Sequence, residues 1–236
     1  MRGLIVTGTD TNVGKTYVTS RIARSLRSKK KKIGICKPVC SGAELVVKDL
    51  LPSIVWEDIE EHFDALGEEF PRELICPHCF NDPVSPSLAA RLSGVSLELR
   101  DLTEAVFAWE EKVKLLLIEG VGGFLCPLTE TENFADFAQA LGFPVLVVAH
   151  TGLGTLNHTL LTIEAIRQRG LSPVGIVLNQ VTPSEGSLAE ETNADELSRW
   201  TDVPILAQIG HGKTLRLRPL QGTPTMEWSS LFGDSA

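Results

Sequence analysis

The nine residues Gly8-Thr9-Asp10-Thr11-Asn12-Val13-Gly14-Lys15-Thr16 constrain this chain more than any other stretch. They follow a short apolar run, Gly3–Thr7, and lead into an amphipathic one, Thr16–Arg27. A strand, a glycine-bounded turn and a helix in that order make an anion cradle. Glycine permits the tight turn, successive backbone N–H groups point inward, and the helix N-terminus adds partial positive charge. Lys15 can reach the outer phosphates of a nucleotide, and the Thr16 hydroxyl can ligate Mg²⁺.

The loop resembles a Walker A element with one extra residue between its glycines. By itself it predicts a nucleotide and names no reaction: kinase, GTPase, partition ATPase and ligase remain open. A second element narrows the geometry. Lys114-Leu115-Leu116-Leu117-Ile118-Glu119-Gly120 puts an acid at the carboxyl end of a buried strand. In a doubly wound sheet such an acid lies beside the phosphate loop and holds Mg²⁺. The glycines of Gly120-Val121-Gly122-Gly123 would let backbone approach a ligand closely.

Short β-branched runs alternate with longer amphipathic ones along the chain. Expected strands are Gly3–Thr7, Ile33–Lys37, Lys114–Glu119, Pro144–Ala149, Val174–Asn179 and Pro204–Ile209. Expected helices between them are Thr16–Arg27, Phe134–Leu141, Leu156–Arg169 and Leu188–Trp200. Continuous apolar strands separated by helices predict an α/β fold, a doubly wound and mostly parallel sheet with helices on both faces. The stretch Ala43–Glu111 breaks the rhythm: it offers helical patterns (Trp56–Leu66, Ser87–Leu92, Leu99–Trp109) and no convincing strand. It is expected to be a largely helical insertion within a single domain spanning residues 1–236.

The composition agrees. A chain of 236 residues with 43% hydrophobic and 22% charged residues has the makings of a globular core. A net charge of −8 is the wrong sign for a general nucleic-acid or anionic-membrane binder. No apolar run approaches the ~18 residues of a membrane helix, and Met1–Val6 reaches the polar loop too early for a signal peptide. A cytoplasmic location is expected. Of the five cysteines, Cys76 and Cys79 in Cys76-Pro77-His78-Cys79 have redox or half-zinc spacing. No second such pair exists and Pro83 and Pro86 follow closely, so structural thiols are expected. Lys29–Lys32 reads as a solvated turn, and the tail after Gly212 carries little pattern.

Taken together and in order, the motifs resemble those of one family, the dethiobiotin synthetases. The resemblance rests on the Gly8–Thr16 loop, Lys37-Pro38-Val39-x-Ser41-Gly42, Pro83-x-Ser85-Pro86 and Glu119-Gly120-x-Gly122-Gly123. It continues through Gly152-Leu153-Gly154-x-Leu156-Asn157-His158 and Gly175-Ile176-Val177-Leu178-Asn179. It implies ATP- and Mg²⁺-dependent closure of a ureido ring, in which 7,8-diaminopelargonate takes up CO2 to give dethiobiotin, ADP and phosphate. Lys37 and Lys15 would be the catalytic pair, supplying positive charge for transfer between two anions. The resemblance assigns the nucleotide to Asn12, Val13, Gly14, Lys15, Thr16, Tyr17, Asp58, Glu119, Gly120, Val121, Gly122, Asn179 and Gly210. It assigns the metal to Thr16, Asp58 and Glu119. Asp49, Asp58 and Asp64 compete for the acid after the lysine loop, and the family interval back from Pro83 selects Asp58. Thr11, Ser41 and Asn157 would bind the diamine, Asn157 from a partner subunit, which makes a homodimer part of the expectation.

Three positions depart from the family pattern. Asn12 stands where Glu is usual, Ile209-Gly210-His211 replaces Ile-Pro-Trp, and Ser87 replaces a frequent His. Rival readings are a partition-type switch ATPase and another P-loop amide-forming ligase. The first wants a lysine early in the loop, where Asp10 stands. The second, of the cobyrinate type, would carry a glutaminase domain for which this chain leaves no room.

Overall fold

In the computed structural model, residues 1–48, 51–183, 186–212 and 227–234 are described. The phosphate loop joins β1 (Arg2–Gly8) to α1 (Lys15–Ser28), and β2 (Ile33–Cys36) follows. Next come β3 (Val39–Ser41), β4 (Glu44–Lys48), β5 (Leu51–Val55), α2 (Glu57–Ala65), α3 (Arg72–Ile75) and β6 (His78–Phe80). Helices α4 (Pro86–Leu92) and α5 (Leu99–Phe107) lead to β7 (Leu115–Gly123). The remainder alternates: α6 (Phe134–Leu141), β8 (Val145–His150), α7 (Thr155–Gln168), β9 (Pro173–Asn179), α8 (Leu188–Trp200) and β10 (Ile205–Ile209).

Six strands pair in the order β10-β9-β8-β1-β7-β2, every pair parallel. Leu4–Val6, Leu116–Ile118 and Val145–Ala149 are inaccessible to solvent, the pattern of strands covered on both faces. Five of the six expected strands match within one or two residues, the usual uncertainty of element ends. The sixth, expected to end at Glu119, continues as β7 to Gly123, so the glycines read as a loop extend the strand. The order puts β7 between β1 and β2, so the carboxyl ends of the strands carrying the phosphate loop, Glu119 and the approach to Lys37 lie side by side.

Helix starts differ in how they are closed. The Asn133 side chain accepts from the N–H groups of Ala135 and Asp136, and Ser187 accepts from Glu190, closing the starts of α6 and α8. By contrast α1 and α7 begin at left-handed glycines, Gly14 and Gly154, with no side-chain cap. A helix start without a side-chain cap can offer N–H groups to a ligand, although at α7 the first of them, Thr155 N–H, already donates to the Gly152 carbonyl at 3.3 Å.

The expectation of no strand between 43 and 111 is corrected. Strands β4 and β5 form an antiparallel hairpin, Glu44 opposite Val55. Strand β6 pairs parallel with β3, setting Val39, Cys40 and Ser41 against His78, Cys79 and Phe80. Three-residue strands are too short to show a period, and the hairpin's Leu45 (71% exposed) and Ile54 (54%) face solvent, so no core shapes their pattern. Helix α2, α3, α4 and α5 are the helical part of the expected insertion.

Packing also reaches the tail. A 3-10 turn at Trp228–Leu231 buries Trp228 and Leu231, with Phe232 beside them. Gly3 and Gly233 exchange backbone hydrogen bonds of 2.8 and 3.1 Å. Residues 213–226, the rest of the weakly patterned stretch, lie outside the described residues. Among the described residues no helix is long and apolar enough to cross a membrane. Lys29–Lys32 is exposed, as expected of a solvated turn.

Candidate active site

A cleft of about 850 Å³ opens at the carboxyl ends of β1, β7 and β2. It brings together Thr11, Asn12, Gly14, Lys15, Thr16, Tyr17, Lys37, Ser41, Asp58, Val121 and Gly122 from the expected set. Glu119 closes the floor, 1% exposed.

Three oxygens converge there. The Thr16 hydroxyl donates toward Asp58 Oδ1 at 2.7 Å and Glu119 Oε1 at 2.8 Å. Lys37 Nζ lies 2.9 Å from Glu119 Oε1 and also bonds Asp58 Oδ2. One hydroxyl and two carboxylates form a hard-oxygen set, which fits Mg²⁺ completing its shell with water and phosphate. Among the described residues no three His, Cys, Asp or Glu side chains gather to hold a metal alone. A cation here would lean on phosphate as well as protein.

The charges are tuned by burial. Burial drives the Lys15 ammonium down, to about 8, against the pull of Glu119, and Lys37 lowers it further. Its Nζ donates to the Asp10 carbonyl at 2.9 Å, which folds the lysine back over its own loop. Burial also opposes the charge on Lys37, but Glu119 and Asp58 outweigh it and hold the group above the ordinary lysine value. For Glu119 burial would raise the carboxyl, and Lys37 and His62 together hold it well below the usual range. Both members of the Lys37–Glu119 pair stay ionised at neutral pH.

His62 and Ser20 belong to this network, and sequence reasoning did not single them out. His62 Nε2 lies 2.9 Å from Glu119 Oε2, a close approach of two buried atoms that does not count as a hydrogen bond. Its Nδ1 is 3.0 Å from Ser20 Oγ. The available signal was helical spacing: His62 is one turn beyond Asp58 on α2, on the face turned to α1.

The phosphate loop is held from below. Asn179 Nδ2 donates to the Val13 carbonyl at 3.0 Å, and both residues are buried under the cleft. Asn12 has φ 59°, a left-handed conformation that asparagine tolerates better than glutamate. Gly120 packs against the Phe134 ring, where a Cβ would come within 2.7 Å. Gly210 follows β10; beside it His211 N–H donates to Gln180 Oε1 at 3.1 Å, and neither residue lines the cleft. Asn157 sits exposed in the first turn of α7, outside the cleft lining.

The opposite wall comes from the stretch after β2. Ser41 Oγ donates to the Val84 carbonyl at 2.7 Å, and Pro83, Val84, Ser85 and Pro86 line the cleft with it. Cys40 and Cys126 also line it, and neither was a sequence candidate. The Phe80 carbonyl accepts from Gly42 N–H at 3.1 Å and from Trp56 Nε1 at 3.0 Å. Both ends of the β4–β5 hairpin therefore meet on one oxygen, with Ser41 just before it and Asp58 just after.

Both the fold and the sequence have counterparts among known proteins. The AAA domain family matches residues 2–216. In solved structures the fold is shared with the septum site-determining protein MinD of Pyrococcus horikoshii OT3, complexed with Mg-ADP. That match has a TM-score of 0.55 at 18% identity, over 88% of this chain and 81% of MinD. It is also shared with the signal recognition particle receptor FtsY of Elizabethkingia anophelis, with a TM-score of 0.52 at 14% identity. This chain covers 62% of FtsY, and the match takes in 92% of this chain. Sequence relatives are nearer. The ATP-dependent dethiobiotin synthetase BioD of Anaeromyxobacter dehalogenans strain 2CP-1 is 44% identical over 85% of this chain and 86% of its own length. Those of Thermodesulfovibrio yellowstonii and Bacillus licheniformis are 37% and 34% identical, over 86% and 87% of this chain and 86% and 84% of their own. With such identity sustained through nearly the whole of each relative, the chain belongs to the ATP-dependent dethiobiotin synthetase family.

Proposed function

We propose that this chain is an ATP-dependent ligase that carboxylates 7,8-diaminopelargonate with CO2 and closes the ureido ring of dethiobiotin, releasing ADP and phosphate. The observation that carries the reading is the pair Lys15 and Lys37, two buried lysines opening into one cleft beside Thr16, Asp58 and Glu119. Joining a carbamate to a phosphoryl group brings two anions together. That needs concentrated positive charge and alignment more than covalent help from the protein. The open start of α1 and Lys15 bind the phosphates, and Asn12, Val13 and Gly14 shape the loop around them. Lys37 faces the transferring phosphoryl group and the carbamate, held charged by Glu119. The second amine then attacks the mixed anhydride, and phosphate leaves.

Thr16, Asp58 and Glu119 would hold Mg²⁺, which when bound supplies charge neutralisation at the phosphates. Thr11 and Ser41 suit the amine end of the substrate. The uncapped start of α7 at Gly154, beside Asn157, suits a carboxylate and supports the reading that the substrate tail sits at a homodimer interface. Asn179 and Gly210 are offered as adenine contacts, residues 43–111 as an insertion within one domain, and the cytoplasm as the location.

The test is phosphate release from ATP, Mg²⁺ and bicarbonate, with and without 7,8-diaminopelargonate. Release that depends on the diamine, with dethiobiotin detected by mass, is the expected result. Steady release without the diamine, or none with it, would overturn the proposal in favour of a switch ATPase or another ligase.

A further inference from the structure

The segment that follows α3 is tied to three sides of the cleft. Lys37 N–H donates to the Ile75 carbonyl at 2.8 Å. Strand β6 runs beside β3, placing Cys79 opposite Cys40 and Phe80 opposite Ser41. The Phe80 carbonyl takes the Trp56 indole N–H, two residues before Asp58. Any shift of residues 75–80 is therefore passed to the backbone carrying Lys37, Ser41 and Asp58.

Within that segment Cys79 Sγ lies 3.7 Å from Cys76 Sγ. Both are free thiols, Cys76 buried and Cys79 partly open to solvent. The two are chemically unequal. Burial holds the Cys76 thiol well above its ordinary value, while contact with Cys76 lowers that of Cys79. An accessible, more acidic sulfur beside a buried one is the arrangement of an attacking and a resolving thiol.

We propose that Cys76 and Cys79 are a redox modification site, closing to a reversible disulfide that slows the synthetase by displacing the cleft wall. The oxidant is a low-molecular-weight disulfide. The Cys79 thiolate attacks one of its sulfurs, forming a mixed disulfide and releasing one thiol. Cys76 gives up its proton, attacks the Cys79 sulfur and expels the second thiol. The two cysteines lose two electrons and two protons, which the small disulfide gains as two thiols. Closure must draw the sulfurs from 3.7 Å to about 2.05 Å. Pro77 between them stiffens the backbone, so residues 76–79 move as a unit.

The experiment treats the full chain with glutathione disulfide, alkylates the remaining thiols and maps the peptides by mass. The expected result is a fall from five free thiols to three, a Cys76–Cys79 bond, and turnover reduced at least about tenfold and restored by dithiothreitol. Cys79→Ser should stay active and ignore glutathione disulfide, while Cys76→Ser should keep one glutathione on Cys79. If either variant misfolds, the mapped bond and its reversal in the unaltered protein decide the matter. Absence of the Cys76–Cys79 bond overturns the site. A bond that leaves turnover unchanged, or equal inhibition of Cys79→Ser, overturns the regulation. The thiol map needs no assay of dethiobiotin formation, so it is independent of the proposed reaction.

Discussion

The imidazole of His62 approaches the outer oxygen of Glu119 to 2.9 Å, with both side chains shut off from solvent. Glu119 thereby faces Lys37 and Thr16 with one oxygen and His62 with the other. A carboxylate fixed at both ends cannot swing away from the cleft. His62→Leu removes one of those supports and should cost about 0.5–3 kcal/mol in urea denaturation, the common range for a single substitution. His62→Gln, which keeps a polar N–H group near Glu119, should recover part of that loss.

Lys37→Ala should lower turnover by on the order of 10²–10³ while ATP still binds. The same change strands Glu119, and breaking a buried pair costs about 3–5 kcal/mol. Single-turnover kinetics on folded protein, with ATP affinity measured alongside, separate the two effects. Turnover near that of the unaltered protein would remove Lys37 from the chemistry.

Gly14→Ala should abolish nucleotide binding. A Cβ there would lie 2.1 Å from Asn179 Nδ2, and φ is +91°, a conformation that suits glycine. The strain should appear as a loss of about 1–3 kcal/mol in thermal or urea unfolding. Unchanged ATP affinity in calorimetry would show that the loop does not cradle phosphate as described.

Lys15 links ATP binding to pH. Its burial-lowered pKa of about 8 means that the free protein loses this charge as pH rises through 8. ATP affinity should therefore fall above pH 8, with proton uptake on binding, detectable by calorimetry in buffers of different ionisation heat. Stability of the free protein runs the other way between about 8 and the unperturbed 10.5. The unfolded chain binds more protons there, so this group makes unfolding harder as pH rises.

Much of the sheet and the phosphate loop was legible because buried parallel strands must be continuously apolar and a phosphate loop needs its glycines. Glu119 was legible for a related reason, as the first charge after four buried residues. Lys37 was readable only through its Pro and Gly neighbours. It follows β2, which pairs with β7 and not with β1, so it lies beside Glu119 and one strand away from the phosphate loop. His62 was hidden in an acidic helical run, where its burial depends on α1 packing across it. Strands β3 and β6 stabilise each other through long-range pairing, which three residues of local pattern cannot announce. Trp228 and Phe232 were missed because the turn that carries them packs against α1 and is followed by pairing of Gly233 with Gly3, at the other end of the chain.

The single Phe80 carbonyl that receives both Gly42 and Trp56 acts as a clasp at the base of the β4–β5 hairpin. Closing that ring is the entropically expensive step, and further lengthening of the excursion adds only slowly to its cost. The distance between Ser41 and Asp58 is thus set by the clasp and not by the number of residues between them. Evolution, or an engineer adding a tag, can lengthen or trim the excursion while the two cleft residues keep their places.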